Sequence, residues 1–361
     1  MERPPVSVLT SYPREETWRV DVLTLDGQDL GELEGFEQGS FDLSIHNRIR
    51  SGGTLDYTGE PLDWNRVMLR VWYILTARDG TEYGWPIGTY IPASPVTRYV
   101  DGGTEISIEL YDKLLILDDA KVTSTWTIDE GTPVLPQIET LIRDASDYDV
   151  AITGDDSDEV ARSARVWEPG TPRLTIINDL LDSIGFFALW CDGYGTYRLD
   201  RSTAASARPV VFEFRDDEHG IYSADFTHDR DGFDVPNQVV ATVQGDDETE
   251  GLRAVAEDTN PESEWSRQVR GRWITRTLED TDATSQQVLD ERVERALRDG
   301  QQVGSKFEIE HDIIPLDLNN ALIFRRDIEG INVRGVAQSF SISADLEGGS
   351  IMKTSLREII T

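Results

Sequence analysis

Short stretches in the first 120 residues alternate apolar with polar side chains, and pairs of turn-forming residues separate them. The clearest stretch, residues 67–75, has an apolar side chain at every second position and leads to the pair Asp79-Gly80. Similar turn signals lie at Asp26-Gly27 and at residues 101–103. Successive side chains of a strand point to opposite faces of a sheet, and Asp-Gly pairs favour tight reversals of the chain. The pattern therefore predicts a small antiparallel barrel or sandwich over residues 18–117.

Residues 171–200 indicate a different unit, a helix followed by a hairpin. Thr171 can accept a hydrogen bond from a first-turn amide, and Pro172 has the φ angle of a first helical residue. The apolar residues that recur at helical spacing are Leu174, Ile177, Leu181 and Ile184. Gly185 suits a left-handed cap, and residues 186–199 favour two short strands around a turn.

A second helix is predicted upstream, from Thr132-Pro133 through Ile142. Its apolar residues fall at helical spacing, and a loop rich in acidic residues follows it at 155–159. With the helix and hairpin, it makes residues 121–205 an α/β module of ordinary domain size.

The remaining residues, 206–361, again favour strands, with one long helix. Predicted strands lie at residues 210–214, 239–244, 273–278, 306–311, 321–325, 335–343 and 350–357. The helix covers about residues 282–299, and Gly300 is expected to end it. Residues 245–264 are polar and acidic and are predicted to form an exposed loop.

The net charge of −34 and the pI near 4.3 constrain the partners of the chain. Such a field repels phosphate groups, so duplex DNA and anionic membranes are poor candidates for tight partners. Only four of the 34 basic residues are lysines. An acid-rich, lysine-poor surface favours a halophilic protein, because concentrated salt screens its self-repulsion. A GC-rich genome is the alternative explanation, but it accounts for the arginine and not for the acidic excess.

No catalytic signature with a recognisable spacing occurs, neither a G-x-S-x-G elbow nor a phosphate loop nor an H-E-x-x-H pair. Cys191 is the only cysteine, so the chain has no internal disulfide and no cysteine-based zinc site. The weak metal candidates are Asp229, Asp231 and Asp234, with His219 and His228 nearby. Gly232 is misplaced for a calcium-binding hand loop, and acidic runs arise by chance among 68 acidic residues. We expect no catalytic residue and no cofactor.

Four short motifs follow one another along the chain. They are residues 49–55 (IRSGGTL), 86–90 (PIGTY), 180–186 (LLDSIGF) and 350–358 (SIMKTSLRE). In this order they resemble the tail-tip or baseplate hub proteins of tailed viruses, a class of minor tail proteins. The resemblance implies an α+β, mainly β fold in which two antiparallel β-barrel domains, residues 1–120 and 206–361, flank the α/β module of residues 121–205.

The resemblance also implies a structural role without enzyme activity. In such hubs, three copies form a ring whose six barrels adapt a sixfold tail tube to a threefold tip. The implied partners are two further copies, a distal tail or tube protein above, and tip or fibre proteins below. Tape-measure protein and DNA would pass through an acidic channel without specific binding during genome ejection.

Two other functions stay open. The chain could be a receptor-binding or carbohydrate-binding β protein of a virion or cell surface, with tryptophans such as Trp64, Trp85 or Trp265 stacking on sugars. It could also be a glycoside hydrolase with an acidic pair, although abundant carboxylates make such a pair uninformative. The sequence has neither a signal peptide nor a run long enough to span a membrane, so we expect synthesis in the host cytoplasm, no membrane anchor and a place at the virion tail tip.

Overall fold

The computed structural model describes residues 4–12, 14–101, 103–146, 148, 150–230, 232–243, 251–278, 286–301, 305–346 and 349–359. In chain order, its strands are β1 (Glu15–Thr24), β2 (Asp29–Glu32), β3 (Phe36–Ser44), β4 (Ser51–Thr58), β5 (Val67–Thr76), β6 (Glu82–Val100), β7 (Gly103–Asp112), β8 (Trp126–Ile128), β9 (Ile152–Gly154), β10 (Arg165–Trp167), β11 (Trp190–Cys191), β12 (Tyr197–Leu199), β13 (Val210–Phe214), β14 (Tyr222–Asp229), β15 (Gln238–Val243), β16 (Leu252–Glu257), β17 (Thr275–Leu278), β18 (Lys306–His311), β19 (Ala321–Arg326), β20 (Ile331–Asp345) and β21 (Ile351–Glu358). Its helices are α1 (Val6–Leu9), α2 (Leu114–Asp119), α3 (Val134–Arg143), α4 (Arg173–Ser183), α5 (Arg267–Arg270) and α6 (Gln286–Gln301).

The chain divides into two compact units, residues 1–226 with 308–356 and residues 227–307 with 357–361. The fold is mainly β, and its largest sheet has 13 strands in the order β14-β18-β21-β20-β3-β4-β7-β6-β5-β1-β2, with β19 beside β20 and β13 beside β19. β20 pairs antiparallel with β3, from Ser339 opposite Ser44 to Asp345 opposite Gln38. This pairing joins strands from both ends of the sequence.

The sheet curves until β1 and β3 face each other. Trp18 of β1 stacks on Phe41 of β3 with 5.9 Å between ring centroids, although four strands separate β1 from β3 in the sheet. Phe41 in turn stacks on Tyr90 at 5.9 Å, and Trp18 meets Tyr73 edge-on at 5.2 Å. Curvature of this kind is what a barrel needs. The division into two barrels stays a prediction.

β5 lies at the centre of this curved region and is buried on both faces. The hairpin of β11 and β12 covers its outer side, where Trp72 meets Tyr194 edge-on at 5.7 Å and Arg70 Nη2 donates to the Tyr194 carbonyl at 3.1 Å. This explains why residues 68, 72 and 74 are apolar as well as the alternating positions of residues 67–75.

The predicted helix and hairpin of the α/β module are present. α4 and the residue after its end bury the whole predicted apolar stripe, and Gly185 has the expected positive φ of 74°. The predicted cap was wrong. Pro172 is the N-cap, and the Thr171 hydroxyl instead donates to the Glu168 carbonyl at 2.8 Å. The extended backbone of Pro172 moves the helix start one residue beyond the position at which Thr171 could cap it.

The second unit contains the sheet β16-β15-β17, and α6 packs on it. α6 buries Leu289, Val293 and Leu297 against the apolar face of β15 and β16. Two predictions for this region differ from the structure. Residues 252–257, within the predicted acidic loop, form β16, because Ala254 and Ala256 alternate with exposed side chains. Gly300 does not end α6, which continues to Gln301.

Glycine is needed at position 300 for close packing and not to cap the helix. A Cβ at this position would lie 2.6 Å from Cγ of Pro236, so only glycine lets the last helical turn approach that ring. The start predicted for this helix, residues 282–285, lies outside the described residues.

The described part of the chain contains no helix that is both long and apolar enough to cross a membrane.

A buried histidine, His311, fixes the packing of β18 against β21. Its Nδ1 donates to the Asp312 carbonyl at 2.6 Å, because a carbonyl can only accept, and its Nε2 therefore accepts from the Thr354 hydroxyl at 2.7 Å. Its ring packs on Phe214 with centroids 4.7 Å apart. Burial lowers the pKa of His311 to about 4, so the ring stays neutral in the folded protein over a wide pH range.

We expect Gly88→Ala to destabilise the protein. Gly88 belongs to the motif of residues 86–90, and an added Cβ would lie 2.2 Å from Cζ of the fully buried Tyr90 ring. Tyr90 cannot move aside because it stacks on Phe41, so the expected loss in the free energy of unfolding is roughly 1–3 kcal/mol. Chemical denaturation measures it. Gly103→Ala is the control, since its added Cβ meets nothing closer than 3.8 Å, and equal losses for both variants would contradict this packing.

We expect His311→Gln to remove part of the acid sensitivity of the fold. Because the folded-state pKa lies below the usual value of 6.5, the unfolded chain binds the proton more readily. The contribution is complete above the unfolded pKa and falls as the pH drops towards about 4. Between about pH 7 and pH 5 the natural protein should lose about 2 kcal/mol more stability than the variant.

Denaturation at both pH values tests this difference. The comparison with the variant is essential because burial raises the pKa of Asp112 to about 7, which stabilises the folded state in the same window as the pH falls. Since Asp112 is present in both proteins, its effect cancels. Parallel pH profiles of the two proteins would contradict the assignment.

Candidate functional site

A cleft of about 410 Å³ opens beside Trp85 in the larger unit. Three segments line it: residues 84–86 of β6, residues 187–208 around the β11–β12 hairpin, and the loop of residues 315–320. Trp85 is only 7% exposed, and its Nε1 has no hydrogen-bond partner among the described residues. The buried Nε of Arg198 also lacks a partner among them. Both groups are buried donors in side chains that line the cleft.

Arginines in the cleft stack on aromatic rings. Arg198 lies over Trp190 at 5.8 Å, and Arg208 lies over Phe187 at 4.9 Å. Asp200 accepts hydrogen bonds from Trp190 Nε1 at 2.8 Å and from Arg198 Nη2 at 3.1 Å, which fixes both side chains. Burial lowers the pKa of Arg208 from its usual value. The arrangement can bind and orient a polar ligand.

A second group of arginines and aromatic rings lies in the smaller unit. Arg230 and Arg270 both lie over the Trp265 ring, at 5.6 and 5.5 Å. Arg267 lies over Trp273 at 4.8 Å. Arg272 lies over Phe233 at 4.5 Å. We call these seven residues, together with the exposed Arg276 of β17, the arginine–aromatic surface.

Asn237 holds the backbone under this surface. Its side-chain nitrogen donates to the carbonyls of Trp265 and Arg272, at 3.1 and 3.0 Å, and its side-chain oxygen accepts from the Ile274 amide at 2.8 Å. Asn237 is fully buried, so each of these bonds replaces water that the backbone groups would otherwise need. Gly232 completes the support, because a Cβ there would lie 2.5 Å from the Trp265 ring.

Comparisons with solved structures show a likeness over nearly the whole chain. A tail protein from Neisseria meningitidis MC58 matches with a TM-score of 0.67 and 16% identity, over 94% of this chain and 96% of that one. The 43 kDa tail protein of prophage MuSo2 from Shewanella oneidensis matches with a TM-score of 0.64 and 13% identity, over 94% and 98%. The chain has the fold of phage tail proteins.

A component of a bacterial secretion system also has a similar structure. An Escherichia coli component of the type VI secretion system, described as structurally similar to the T4 tail proteins gp27 and gp5, matches with a TM-score of 0.53 and 8% identity, over 91% of this chain and 75% of that one. No protein-family model matches the sequence, and no curated protein does. The tail-protein fold predicted from the four motifs is thus supported by structure, while the sequence has diverged far.

Within this tail-protein fold, the weak metal candidates are not brought into a cluster. Asp229 ends β14 and is exposed, Asp234 is exposed in the following loop, and Asp231 lies outside the described residues. Among the described residues, no group of three or more His, Cys, Asp or Glu side chains could hold a metal ion. A metal site that includes Asp231 stays a prediction.

The tryptophans proposed as sugar platforms have different surroundings. Trp85 is buried and packs on Tyr73 at 4.9 Å, so it is not the exposed platform that was expected. Trp64 is half-buried against Tyr57. Two arginines, Arg230 and Arg270, lie over the Trp265 ring. The sequence analysis missed those arginines, although residues 265–278 carry four arginines and no acidic residue, an evident anomaly in a chain of charge −34.

Proposed function

We propose that the protein is a structural component of a viral tail, located at the tail tip as a hub. The observation that carries the proposal is the extent of the likeness, which includes 94% of this chain and almost the whole of two phage tail proteins. A shared single domain would leave large parts of either chain unmatched. The match covers nearly the whole of both chains instead, which supports a similar structural role.

The hub is a ring of three copies. Each copy contributes two barrels, residues 1–120 and 206–361, with the α/β module of residues 121–205 between them, so that six barrels face a sixfold tube while the ring keeps threefold symmetry. The curvature that brings Trp18 onto Phe41 supports a barrel in the N-terminal part. A tail tube protein binds above the ring, and tip or fibre proteins bind below.

The charge of the chain suits a channel for nucleic acid. A net charge of −34 per copy repels phosphates, so tape-measure protein and DNA pass during ejection without binding. The acidic surface also fits a virus of a halophilic host, since salt at molar concentration shortens the range of repulsion between copies to about 3 Å.

We expect the purified chain to form trimers in molar salt. Light scattering coupled to size-exclusion chromatography should give three times the 40.6 kDa of one chain, and the protein should stay soluble and folded in that salt. Cryo-electron microscopy of particles that carry the chain, processed without symmetry at the tip, gives the second measurement. Three copies around a central channel are expected, whereas peripheral copies, or loss of solubility in molar salt, would contradict the corresponding part of the proposal.

A second candidate function, carbohydrate binding, rests on the cleft beside Trp85. Its lining favours this function, because Trp190 can stack on a sugar ring, and Arg198, Asp200 and Arg208 can form hydrogen bonds with sugar hydroxyls and carboxylates. Titration with neutral sugars and uronic acids, followed by tryptophan fluorescence, should give a saturable change that Arg198→Gln weakens roughly tenfold. Arg162→Gln, an exposed arginine elsewhere, is the control. No saturable change with any sugar would reject this function and leave the hub proposal intact.

A further inference from the structure

The arginine–aromatic surface is rich in arginine, whereas the chain as a whole is strongly acidic. Residues 265–278 carry Arg267, Arg270, Arg272 and Arg276 without a single Asp or Glu, in a chain with 68 acidic residues. Arg230 pairs with Glu264 at 2.6 Å, whereas no carboxylate of the described residues forms an ion pair with any of these four guanidinium groups. Within the described residues, the four charges can therefore interact with carboxylates of a partner.

Ring contacts and hydrogen bonds hold the side chains of this surface in place, which distinguishes it from a chance run of basic residues. Arg230 and Arg270 both lie over the Trp265 ring, and Arg270 also donates to the carbonyls of Phe233 and Val235 at 3.0 and 3.1 Å. These bonds fix the guanidinium planes before any partner arrives, so less side-chain entropy is lost on binding.

Exposed apolar side chains accompany the charges. Phe233 is 64% exposed and Val269 is 58% exposed. Aromatic residues and arginine are the types enriched in the buried centres of protein interfaces, whereas a solvated surface of this chain carries Asp and Glu. The composition therefore indicates a protein interface.

We propose that the arginine–aromatic surface is the contact through which one copy docks on the acidic surface of a second copy of this chain. The inference rests on the proposed trimer and names the surface that forms it. A closed ring of three copies requires a head-to-tail contact between two different surfaces of the chain. The basic run of residues 265–278 and the acidic remainder of the next copy are complementary in charge.

Nucleic acid is the less favoured occupant, although arginine and aromatic side chains also bind single strands. The field of a chain with charge −34 repels a polyanion as it repels a second copy, but the closed ring of the proposed trimer requires a contact between copies and none with nucleic acid.

The test is the double variant Arg267→Glu/Arg276→Glu. Both residues are exposed, and neither makes the backbone bonds that Arg270 and Arg272 make to the loop of residues 233–235. The control, Arg78→Glu/Arg162→Glu, changes the net charge equally at two exposed positions of the other unit. Sedimentation in molar salt should show three copies for the natural chain and for the control. The test variant should sediment as single copies, with a dissociation constant raised at least roughly 100-fold.

Circular dichroism and the unfolding midpoint show whether the test variant is folded, and Arg267→Gln/Arg276→Gln replaces it if it is not. Three copies for the natural chain and for the folded test variant alike would overturn the inference and leave the hub proposal standing. A natural chain that sediments as single copies would overturn both. Binding of a fluorescent oligo-dT that the test variant loses, with the trimer unchanged, would assign the surface to nucleic acid and overturn the inference.

Discussion

Stacking of aromatic rings across the curved sheet is the interaction on which the larger unit depends. Trp18, Phe41 and Tyr90 come from β1, β3 and β6, which are not neighbours in the sheet, and their contacts hold it in its curved shape. Each ring buries far more apolar area than an aliphatic side chain, so the contact resists flattening. The Trp85 ring packs on Tyr73 in the same core and also lines the cleft. The same aromatic packing therefore stabilises the core and positions a side chain that lines the cleft.

Much of the local structure follows from the sequence. Strands β13 and β18 lie at the predicted residues, and the three longer helices α3, α4 and α6 bury the apolar faces that their spacing predicted. Period and turn chemistry are local properties, so they can be recognised without the fold. β14 was missed because six of its eight residues are polar, charged or small, and it has no fully buried side chain. β16 was not predicted because acidic residues dominate the composition of residues 245–264, in which it lies.

Long-range arrangement could not be predicted from the same signals. The pairing of β20 with β3 joins residues that are about 300 positions apart, and no local pattern encodes it. The cleft likewise collects three distant segments, and the arginine–aromatic surface adds Arg230 and Phe233 to residues 265–273. Only the acid-free run of arginines was visible beforehand. Its stacking partners depend on the loop that Asn237 holds in place, which required the structure.

The net charge of the chain limits which kinds of contact can hold two copies together. Two copies that each carry −34 repel each other at low salt, and high salt removes this repulsion together with any long-range attraction between a basic and an acidic surface. What remains under both conditions is short-range: stacked guanidinium groups, hydrogen bonds to carboxylates, and apolar contact at side chains such as Phe233 and Val269. Arginine suits this better than lysine, because its planar group is weakly hydrated and stacks on rings. An assembly of such chains in salt must therefore depend on preorganised contacts, and the arginine–aromatic surface around Trp265 has contacts of this kind.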